Sequence, residues 1–356
     1  MQKKIRILFT IPNFKTAGSQ YVLLSLLKVL DDACFEWFVA VEKFPDERPE
    51  AIPESQFIHV PRQGHLLKDV RLFSKILHKN KIDLVHSWDY KSEFVEVLGA
   101  RFARVPYLYT KKNNAWSKRW WLKSVLSHHI AYDNPDMKIK FFNDKVLKSK
   151  VSFIPHGIDT SVFKPLKSRG EKERFSMCCV GNINPNKNQL FLIRSLLHLP
   201  ENVDLYLYGR AEMQYLSLLQ DEVNIYKLQN RVYFKGFVDN ITLPKVFHKH
   251  DLFVLASHQE GLPVSVLEAL ACGLPVLCSD SGGGSRYIFK EEKGGKVFDN
   301  KNMSDFVNDV MAFINDTNYY REQEQAAVEN VQGFTVEHEG KLYSQLYEKL
   351  INYGLQ

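Results

Sequence analysis

Residues 251–276 read DLFVLASHQEGLPVSVLEALACGLPV, and this stretch decides the fold of the second half of the chain. Its apolar start, Asp251 to Ala256, predicts a buried parallel strand. After a short loop, Pro263 suits the first position of a helix and Gly273 suits its end. A helix that follows a strand and a loop points free backbone N–H groups and the positive end of its dipole at the loop. The stretch therefore predicts a binding site for phosphate or polar sugar oxygens.

Two carboxylates accompany this predicted site, Glu260 in the loop and Glu268 further along the helix. A carboxylate binds sugar well because it accepts hydrogen bonds from two neighbouring hydroxyls at once. Taken alone, a glutamate near a helix start more commonly complements the helix dipole, and a mid-helix glutamate more commonly lies on a solvated face. These two residues by themselves therefore favour the ordinary explanation over a sugar site.

The complete stretch of residues 251–276 favours the sugar site instead. With its EALACGLPV continuation and the later Gly282-Gly283 pair, it resembles the Glu-x7-Glu signature of the retaining glycosyltransferases of family four. These enzymes move a sugar from a nucleotide-sugar donor. The resemblance implies the GT-B fold, which is an α/β architecture of two Rossmann-like doubly wound domains that face a cleft, with a C-terminal helix crossing back.

The same resemblance implies roles for single residues. Glu268 is expected to hold the ribose hydroxyls of the donor, and Glu260 is expected to hold the sugar hydroxyls and to act as a catalytic residue. Backbone amides near Leu262 and Val264 are expected to stabilise the leaving diphosphate. The other donor-binding residues that the resemblance implies here are Gly261 and Val238.

A second segment of this half, Val180 to Asn188, follows a predicted strand and resembles the family's Gly-Arg-x-x-x-x-Lys-Asn phosphate loop. Lys187 stands at the family lysine that binds the donor phosphates, whereas Asn182, also a donor-binding candidate, replaces the arginine. Lys187 is therefore expected to act as a catalytic cation, because charge develops on the leaving diphosphate in the transition state. Loss of the arginine removes a permanent, fork-shaped donor. Either another cation compensates or donor affinity is lower.

The loop after the first strand of the chain, residues 12–20, resembles the family's Gly-Gly-Ala-Glu loop. Ala17 stands at the first glycine, Gly18 at the second, and Gln20 at the glutamate. Gly18 is expected to let the backbone approach the donor diphosphate, although an isolated glycine also marks a plain turn. Ala17 is a neighbouring candidate.

Four further residues are candidates for the expected cleft. Lys111 and Lys112 stand where the family often has a histidine, after a predicted strand of the first domain. The hypothesis is that Lys112 provides the missing second cation, as a catalytic residue, and that Lys111 is the weaker candidate. His86 looks like the histidine of the family's Val-Val-His stretch, but a structural histidine is equally expected. Arg286 replaces the glutamate of the family's Gly-Gly-x-x-Glu stretch.

Strand-like apolar runs alternate with amphipathic helical stretches along the chain, which predicts two parallel sheets with crossover helices. The segment Pro155 to Arg174 is rich in Pro, Gly and charge, so it favours a linker. The stretch IPHGIDTSVFKP, residues 154–165, overlaps the start of this segment and resembles the family's domain junction, with His156 for the usual asparagine. The predicted parts are an acceptor-side domain over 1–155, a linker over 156–174, a donor-binding domain over 175–333 and a helix over 334–356 that packs back on the first domain.

Composition and charge limit the class of protein. The chain has 356 residues, of which 45% are hydrophobic and 25% charged, as in a soluble globular protein of two domains. No signal peptide and no membrane-length apolar stretch is recognisable, so a cytoplasmic location is expected. Five cysteines without metal-ligand spacing predict reduced core residues.

The positive charge is concentrated in the first half. Residues 1–155 contain 26 Lys and Arg against 16 Asp and Glu, whereas the remainder contains 21 against 25. An anionic lipid surface, a lipid-phosphate acceptor or an acidic glycan would suit the basic half, and unevenly placed solvated lysines explain it equally well. The aromatic and basic stretch Trp116 to Trp121 allows peripheral membrane contact or partial burial. Nucleic acid is not expected, because no recognisable motif accompanies the charge.

These patterns predict a retaining glycosyltransferase that moves a sugar from a nucleotide-diphosphate sugar to a hydroxyl of a glycan or lipid-linked acceptor, in the synthesis of surface polysaccharide or glycoconjugate. No cofactor is expected, and no metal, since the chain lacks an Asp-x-Asp pair. Two alternatives stay open, a catalytically degenerate GT-B protein that binds glycan or nucleotide-sugar, and a GT-B sugar epimerase. A dinucleotide enzyme is disfavoured, because no Gly-x-Gly-x-x-Gly follows the first strand.

Overall fold

The computed structural model describes residues 3–14, 18–41, 49–88, 93–166, 170 and 172–353. The chain divides into two compact units. Unit 1 combines residues 1–157 with residues 336–356, and unit 2 consists of residues 158–335. Each unit is built on one parallel β-sheet flanked by helices.

In unit 1, the described residues form a sheet with the strand order β3-β2-β1-β4-β5-β6-β7. Neighbouring parallel strands need a crossover connection, which the helices supply. The strands are β1 (Ile5–Ile11), β2 (Phe35–Val41), β3 (Phe57–His59), β4 (Leu84–Ser87), β5 (Tyr107–Lys111), β6 (His129–Tyr132) and β7 (Val151–Phe153). The helices are α1 (Gly18–Val29), α2 (Leu66–Lys79), α3 (Val95–Ala103), α4 (Lys118–Leu126) and α5 (Asp136–Phe141).

In unit 2, the described residues form a sheet with the order β10-β9-β8-β11-β12-β13. Its central strands are buried on both faces, as their continuous apolar runs predict. The strands are β8 (Phe175–Val180), β9 (Val203–Tyr208), β10 (Val232–Gly236), β11 (Leu252–Leu255), β12 (Val276–Ser279) and β13 (Gly295–Phe298). The helices are α6 (Gln189–Ser195), α7 (Met213–Ile225), α8 (Leu243–Phe247), α9 (Val264–Ala271), α10 (Gly284–Ile288), α11 (Met303–Asn315) and α12 (Thr317–Val331).

Both sheets contain a point at which the strand order reverses. In unit 1, β1 pairs with β2 on one side and with β4 on the other. In unit 2, β8 pairs with β9 on one side and with β11 on the other. Ligands of doubly wound sheets bind at the carboxyl ends of the strands beside such a reversal. The loops after β8 and β11 carry Lys187 and Glu260, so the fold of unit 2 places both residues at that position.

The last helix, α13 (Val336–Tyr353), belongs to unit 1, although the chain reaches it through unit 2. Its Tyr347 hydroxyl lies 2.8 Å from Nδ1 of His86, and its Tyr343 hydroxyl lies 2.8 Å from Oγ1 of Thr110. These side chains are all buried. The helix is therefore held by polar contacts to the ends of β4 and β5 as well as by packing.

A buried histidine adds a second attachment of α13. Ring nitrogens of His156 lie 3.2 Å from carboxylate oxygens of Asp133 and of Glu339, the latter on α13. Burial alone would lower the pKa of His156, but the hydrogen bonds to Asp133 and Glu339 raise it to about 9. The imidazole of His156 is therefore protonated at neutral pH. It connects the segment after β7 to helix α13 through Glu339.

The predicted fold class is confirmed, with two parallel sheets and a crossing C-terminal helix. The exact domain boundaries stay predictions. Within the predicted linker, Ile158 bridges to Thr335 and Phe163 is buried, so this part packs with unit 2. The expectation that every cysteine is a core residue is wrong for Cys34, which is exposed because it lies in the turn before β2 and donates to Asp31.

Candidate active site

The loop between β11 and α9 is fixed against the next loop of the sheet. The backbone N–H of Glu260 donates to the carbonyl of Ser281 over 2.9 Å. A Cβ placed on Gly284 would come within 1.9 Å of the carbonyl oxygen of Gly261, so only glycine permits this approach. The start of α10 therefore positions the backbone around Glu260 and Gly261. This helix directly follows the pair Gly282-Gly283 that is part of the family resemblance.

Helix α9 begins at Val264, with Pro263 just before it, and no side chain caps its first turn. It ends where Gly273 takes a positive φ of 68°. Because the first amides of a helix have no acceptor within it, those near Leu262 and Val264 point at the loop together with the positive end of the dipole. The residue Leu262 is buried and Val264 is half-buried.

Lys187 and Glu260 form a direct ion pair, with Nζ 2.6 Å from Oε1. Their side chains are only 19% and 16% exposed. The loops that carry them are joined at the backbone, because the N–H of His258 donates to the carbonyl of Asn186 over 2.8 Å. The stem of Lys187 passes over Gly181, whose added Cβ would meet Cε at 3.3 Å. A cation and a carboxylate are thus held together beside the start of α9.

Glu268 does not lie on a solvated helix face, since the residue is only 7% exposed. Its Oε1 accepts a hydrogen bond of 3.0 Å from Nδ2 of Asn240, in the loop after β10. Burial raises the pKa of Glu268 to about 8, although the hydrogen bond from Asn240 works in the opposite direction. In the part of the chain that the structure describes, Asn240 is the one side chain that donates to this carboxyl group. A buried carboxyl group with so few donors is costly for a fold, which favours a ligand-binding role.

The remaining donor-side candidates line the same end of the sheet. Asn182 is exposed directly after β8, and its carbonyl accepts a hydrogen bond of 3.0 Å from Nε2 of Gln189. Val238 is half-buried in the loop after β10, between that strand and Asn240. Arg286 of α10 forms an exposed ion pair of 3.3 Å with Asp280, so its charge faces solvent rather than a built pocket.

The first-domain loop is only partly visible, because Ala17 lies outside the described residues. Gly18 is exposed and starts α1, and a Cβ built on it would meet nothing within 4 Å. The described neighbours therefore leave room for a side chain at this position, and the role of Gly18 in donor binding stays a prediction. Gln20 donates to the side chain of Asn13 over 3.1 Å and so closes the loop on itself.

Two of the candidates at the strand ends of unit 1, His86 and Lys111, are buried in its interior, whereas Lys112 is half-buried. His86 is fully buried between Tyr347 and Thr110, and burial, together with the charge of Lys112, lowers its pKa well below the usual range. The environment of His86 is that of a neutral structural histidine.

The two lysines at the end of β5, its last residue Lys111 and the following Lys112, differ in exposure. Lys111 is 1% exposed, its Nζ lies 4.2 Å from the centre of the Trp120 ring, and burial lowers its pKa to about 7. Lys112 is half-buried, donates to the carbonyl of Trp88 over 2.9 Å, and lies 4.1 Å from the centre of that ring. Only Lys112 presents part of its side chain to solvent, as the alternation of a strand predicts.

Three residues near the candidate site of unit 2 were not predicted from the sequence. They are Asn240, which binds Glu268, and the pair of Arg210 and Phe237, whose guanidinium and ring centre are 4.6 Å apart. All three directly follow β9 or lie just after β10, so inspection of every strand end would have found them. Among the described residues, no group of three or more His, Cys, Asp and Glu could hold a metal ion.

Two known protein families match this chain. The family described as Glycosyl transferases group 1 matches residues 163–330, and the family Glycosyltransferase Family 4 matches residues 16–162. Together the two matches extend over both units.

Individual proteins point the same way. A UDP-Gal:alpha-D-GlcNAc-diphosphoundecaprenol alpha-1,3-galactosyltransferase of Escherichia coli is 27% identical over 72% of this chain and 73% of its own length. An N-acetylgalactosamine-N,N'-diacetylbacillosaminyl-diphospho-undecaprenol 4-alpha-N-acetylgalactosaminyltransferase of Campylobacter jejuni is 26% identical over 81% of this chain and 84% of its own length. Among solved structures, HepE of Anabaena in complex with UDP and glucose superposes with a TM-score of 0.83 at 21% identity, over 97% of this chain and 100% of its own, which shows the shared fold.

Proposed function

Because this chain belongs to glycosyltransferase family four, we propose that it moves a sugar from a uridine-diphosphate sugar to a hydroxyl of a lipid-linked acceptor, with retention of the anomeric configuration. The donor class is supported by the galactosyltransferase of Escherichia coli and by HepE, whose names include a UDP-sugar and UDP. The acceptor class is supported by the two relatives whose names include a diphosphoundecaprenol.

The observation that carries this proposal is the ion pair between Lys187 and Glu260. In the absence of ligand each group neutralises the other in a poorly solvated position. A bound donor offers each of the two groups a new partner. The charged diphosphate pairs with Lys187, and the sugar hydroxyls donate to Glu260. Because negative charge grows on the diphosphate as the bond breaks, the lysine and the α9 amides stabilise the transition state more than the ground state.

Glu268 and its neighbours bind the nucleoside part in this proposal. Glu268 holds the ribose hydroxyls, and Asn240 orients its carboxyl group. The loop that carries Val238 and Asn240 offers its backbone to the base. Lysine, amides and helix dipole together serve the leaving group, so we propose that no metal ion is required.

The test is to incubate the full chain with UDP-sugars and a short-chain polyprenyl-diphosphate sugar, and to measure UDP release and product. A retained anomeric configuration in the product, read by NMR coupling constants, supports the mechanism. Binding of UDP without any turnover would favour the degenerate binding protein, and interconversion of the sugar without transfer would favour an epimerase.

We also propose that unit 1 lies on an anionic membrane surface when it meets its acceptor. Residues 101–150 contain twelve Lys and Arg against three Asp and Glu. On and near α4, Trp121, Leu122 and Val146 are 41%, 44% and 50% exposed. Trp121 and Val146 both donate to Asp144, over 3.1 and 2.8 Å, so these apolar groups are neighbours. Exposed apolar groups among lysines suit an interface with anionic lipid.

Sedimentation with phosphatidylglycerol vesicles and with phosphatidylcholine vesicles tests this contact. We expect binding to the anionic vesicles, lost in high salt and in a Trp121→Ala/Leu122→Ser variant. A matched control, Ile225→Ser, removes an exposed apolar residue of unit 2 and should leave binding unchanged. Equal binding of both vesicle types would contradict an electrostatic surface.

Among the described residues, no helix combines the length and hydropathy needed to cross a membrane.

A further inference from the structure

The donor site proposed for unit 2 is short of positive charge. Lys187 is bound to Glu260, and Asn182 occupies the position of the family's arginine without a charge. Arg286 is exposed and paired with Asp280. A diphosphate in a partly desolvated site requires more compensation than one lysine and a helix end. A further cation at the same end of the sheet is therefore expected.

Arg210 lies directly beside the position that lacks the arginine. The N–H of Ile183, the residue after Asn182, donates to the carbonyl of Arg210 over 2.8 Å. The two loops stay this close because Gly209 has no side chain, since an added Cβ would come within 1.9 Å of the carbonyl oxygen of Gly181. Residue 210 is therefore fixed at the end of β9, next to the phosphate loop that follows β8.

The side chain of Arg210 is exposed, and in the described part of the chain no carboxylate pairs with it. Its guanidinium rests instead on the ring of Phe237, with 4.6 Å between the central carbon and the ring centre. An exposed cation–π contact is weak, whereas a hydrogen bond between a guanidinium and a phosphate is strong and bidentate. A phosphate within reach would therefore displace the ring as the partner of Arg210.

We propose that Arg210 binds the diphosphate of the donor and supplies the charge that Asn182 does not. The inference rests on the proposed function, because it assumes a nucleoside-diphosphate ligand at this end of the sheet. When the guanidinium leaves Phe237 for the phosphate, the exposed face of that ring becomes free beside Val238, where the base is expected. Arg210 belongs to the same unit as Lys187, so this compensation needs no group from unit 1 and differs from the hypothesis for Lys112.

The experiment measures the affinities of the full chain for UDP, UMP and uridine by calorimetry and ligand-observed NMR. Arg210→Ala should weaken UDP about ten- to hundredfold, UMP less, and uridine by less than about twofold. In that background Asn182→Arg should restore most of the UDP affinity, because it returns a guanidinium to the neighbouring loop. The loss should shrink in high salt.

The matched control is Arg321→Ala, which removes an exposed arginine on α12 and should change none of the three affinities. Unchanged UDP affinity in Arg210→Ala overturns the inference. Equal losses for all three ligands also overturn it, because they assign Arg210 to the nucleoside. A wild-type protein that binds no UDP overturns the proposed donor class itself, which separates that failure from failure of Arg210.

Discussion

The carboxyl ends of the two sheets carry similar residues but use them differently. In unit 2 the charged side chains face one another near the surface, as Lys187 and Glu260 do over 2.6 Å. In unit 1 the corresponding residues point inward, with His86 enclosed by tyrosine and threonine and Lys111 beneath Trp120. The pair of Lys187 and Glu260 is partly exposed and can exchange partners when a ligand arrives, whereas a fully buried, satisfied group cannot do so without loss of stability. We therefore expect ligand chemistry in unit 2 and a structural role for these residues of unit 1.

The largest effect is expected from Lys187→Ala, which removes the cation of the pair in unit 2. We expect turnover of the UDP-sugar to fall about 10²- to 10³-fold, because the lysine acts where transition-state charge develops. UDP affinity should fall with it, while uridine affinity should stay unchanged. Steady-state kinetics and calorimetry check both expectations. Lys290→Ala, an exposed lysine of the same unit, is the control. Similar losses for uridine and UDP would mean that Lys187 maintains the structure instead.

The next largest effect is expected from Glu268→Gln. Loss of a charged acceptor for the ribose hydroxyls should weaken UDP by ~1.5–3 kcal/mol at pH 9. The wild-type affinity should rise between pH 6.5 and 9, since the carboxyl group ionises with a pKa of about 8. The variant should show no such rise. Calorimetry over this pH range measures the UDP affinity of both proteins. A wild-type affinity that does not depend on pH would contradict the assignment of Glu268 to the ribose hydroxyls.

The same variant makes an opposite prediction for stability. The folded-state pKa of Glu268 is raised from 4.5 to about 8, so the stability that its proton provides is present below the lower value and is lost as pH rises through the upper one. Glu268→Gln should therefore melt higher than wild type at pH 8, by about 2–4 °C for ~1 kcal/mol, and much like wild type at pH 5. A lower melting temperature at pH 8 would show that the carboxylate is needed by the fold.

A smaller effect is expected from Asn240→Ala. Its hydrogen bond lowers the pKa of Glu268, so its removal should shift the rise of UDP affinity to higher pH and cost about three- to tenfold at pH 7.5. The exposed Asn224 provides the control. An unchanged pH profile with uniformly weaker binding would assign Asn240 to the ligand itself instead of to the orientation of Glu268.

The smallest effect on donor binding should come from unit 1. Lys112→Ala is expected to leave UDP affinity within about twofold of wild type, because the ammonium already contacts Trp88 within its own unit. Turnover should fall more than binding if Lys112 also serves the transition state. Equal turnover in variant and wild type would remove Lys112 from the catalytic residues. A tenfold loss of UDP affinity would contradict the division of roles between the units.

Local pattern and motif predicted most of the fold and the donor side of the site. The apolar run before Ala256, the proline before α9 and Gly273 after it are local signals, and they suffice for the strand, the loop and the helix. The short strand β3 carries no such signal, since it has three residues at the sheet edge. The partners of Glu268 and His156 could not be predicted, because Asn240 and Glu339 reach them only through packing between distant segments.

The most direct test of the central claim is a crystal structure of the wild-type chain with UDP and its sugar. We predict that Nζ of Lys187 moves away from Oε1 of Glu260, from 2.6 Å to beyond about 4 Å, and lies about 2.8 Å from an oxygen of the diphosphate. The carboxylate of Glu260 should then accept hydrogen bonds from the sugar. A bound donor beside an intact ion pair of Lys187 and Glu260 would contradict it.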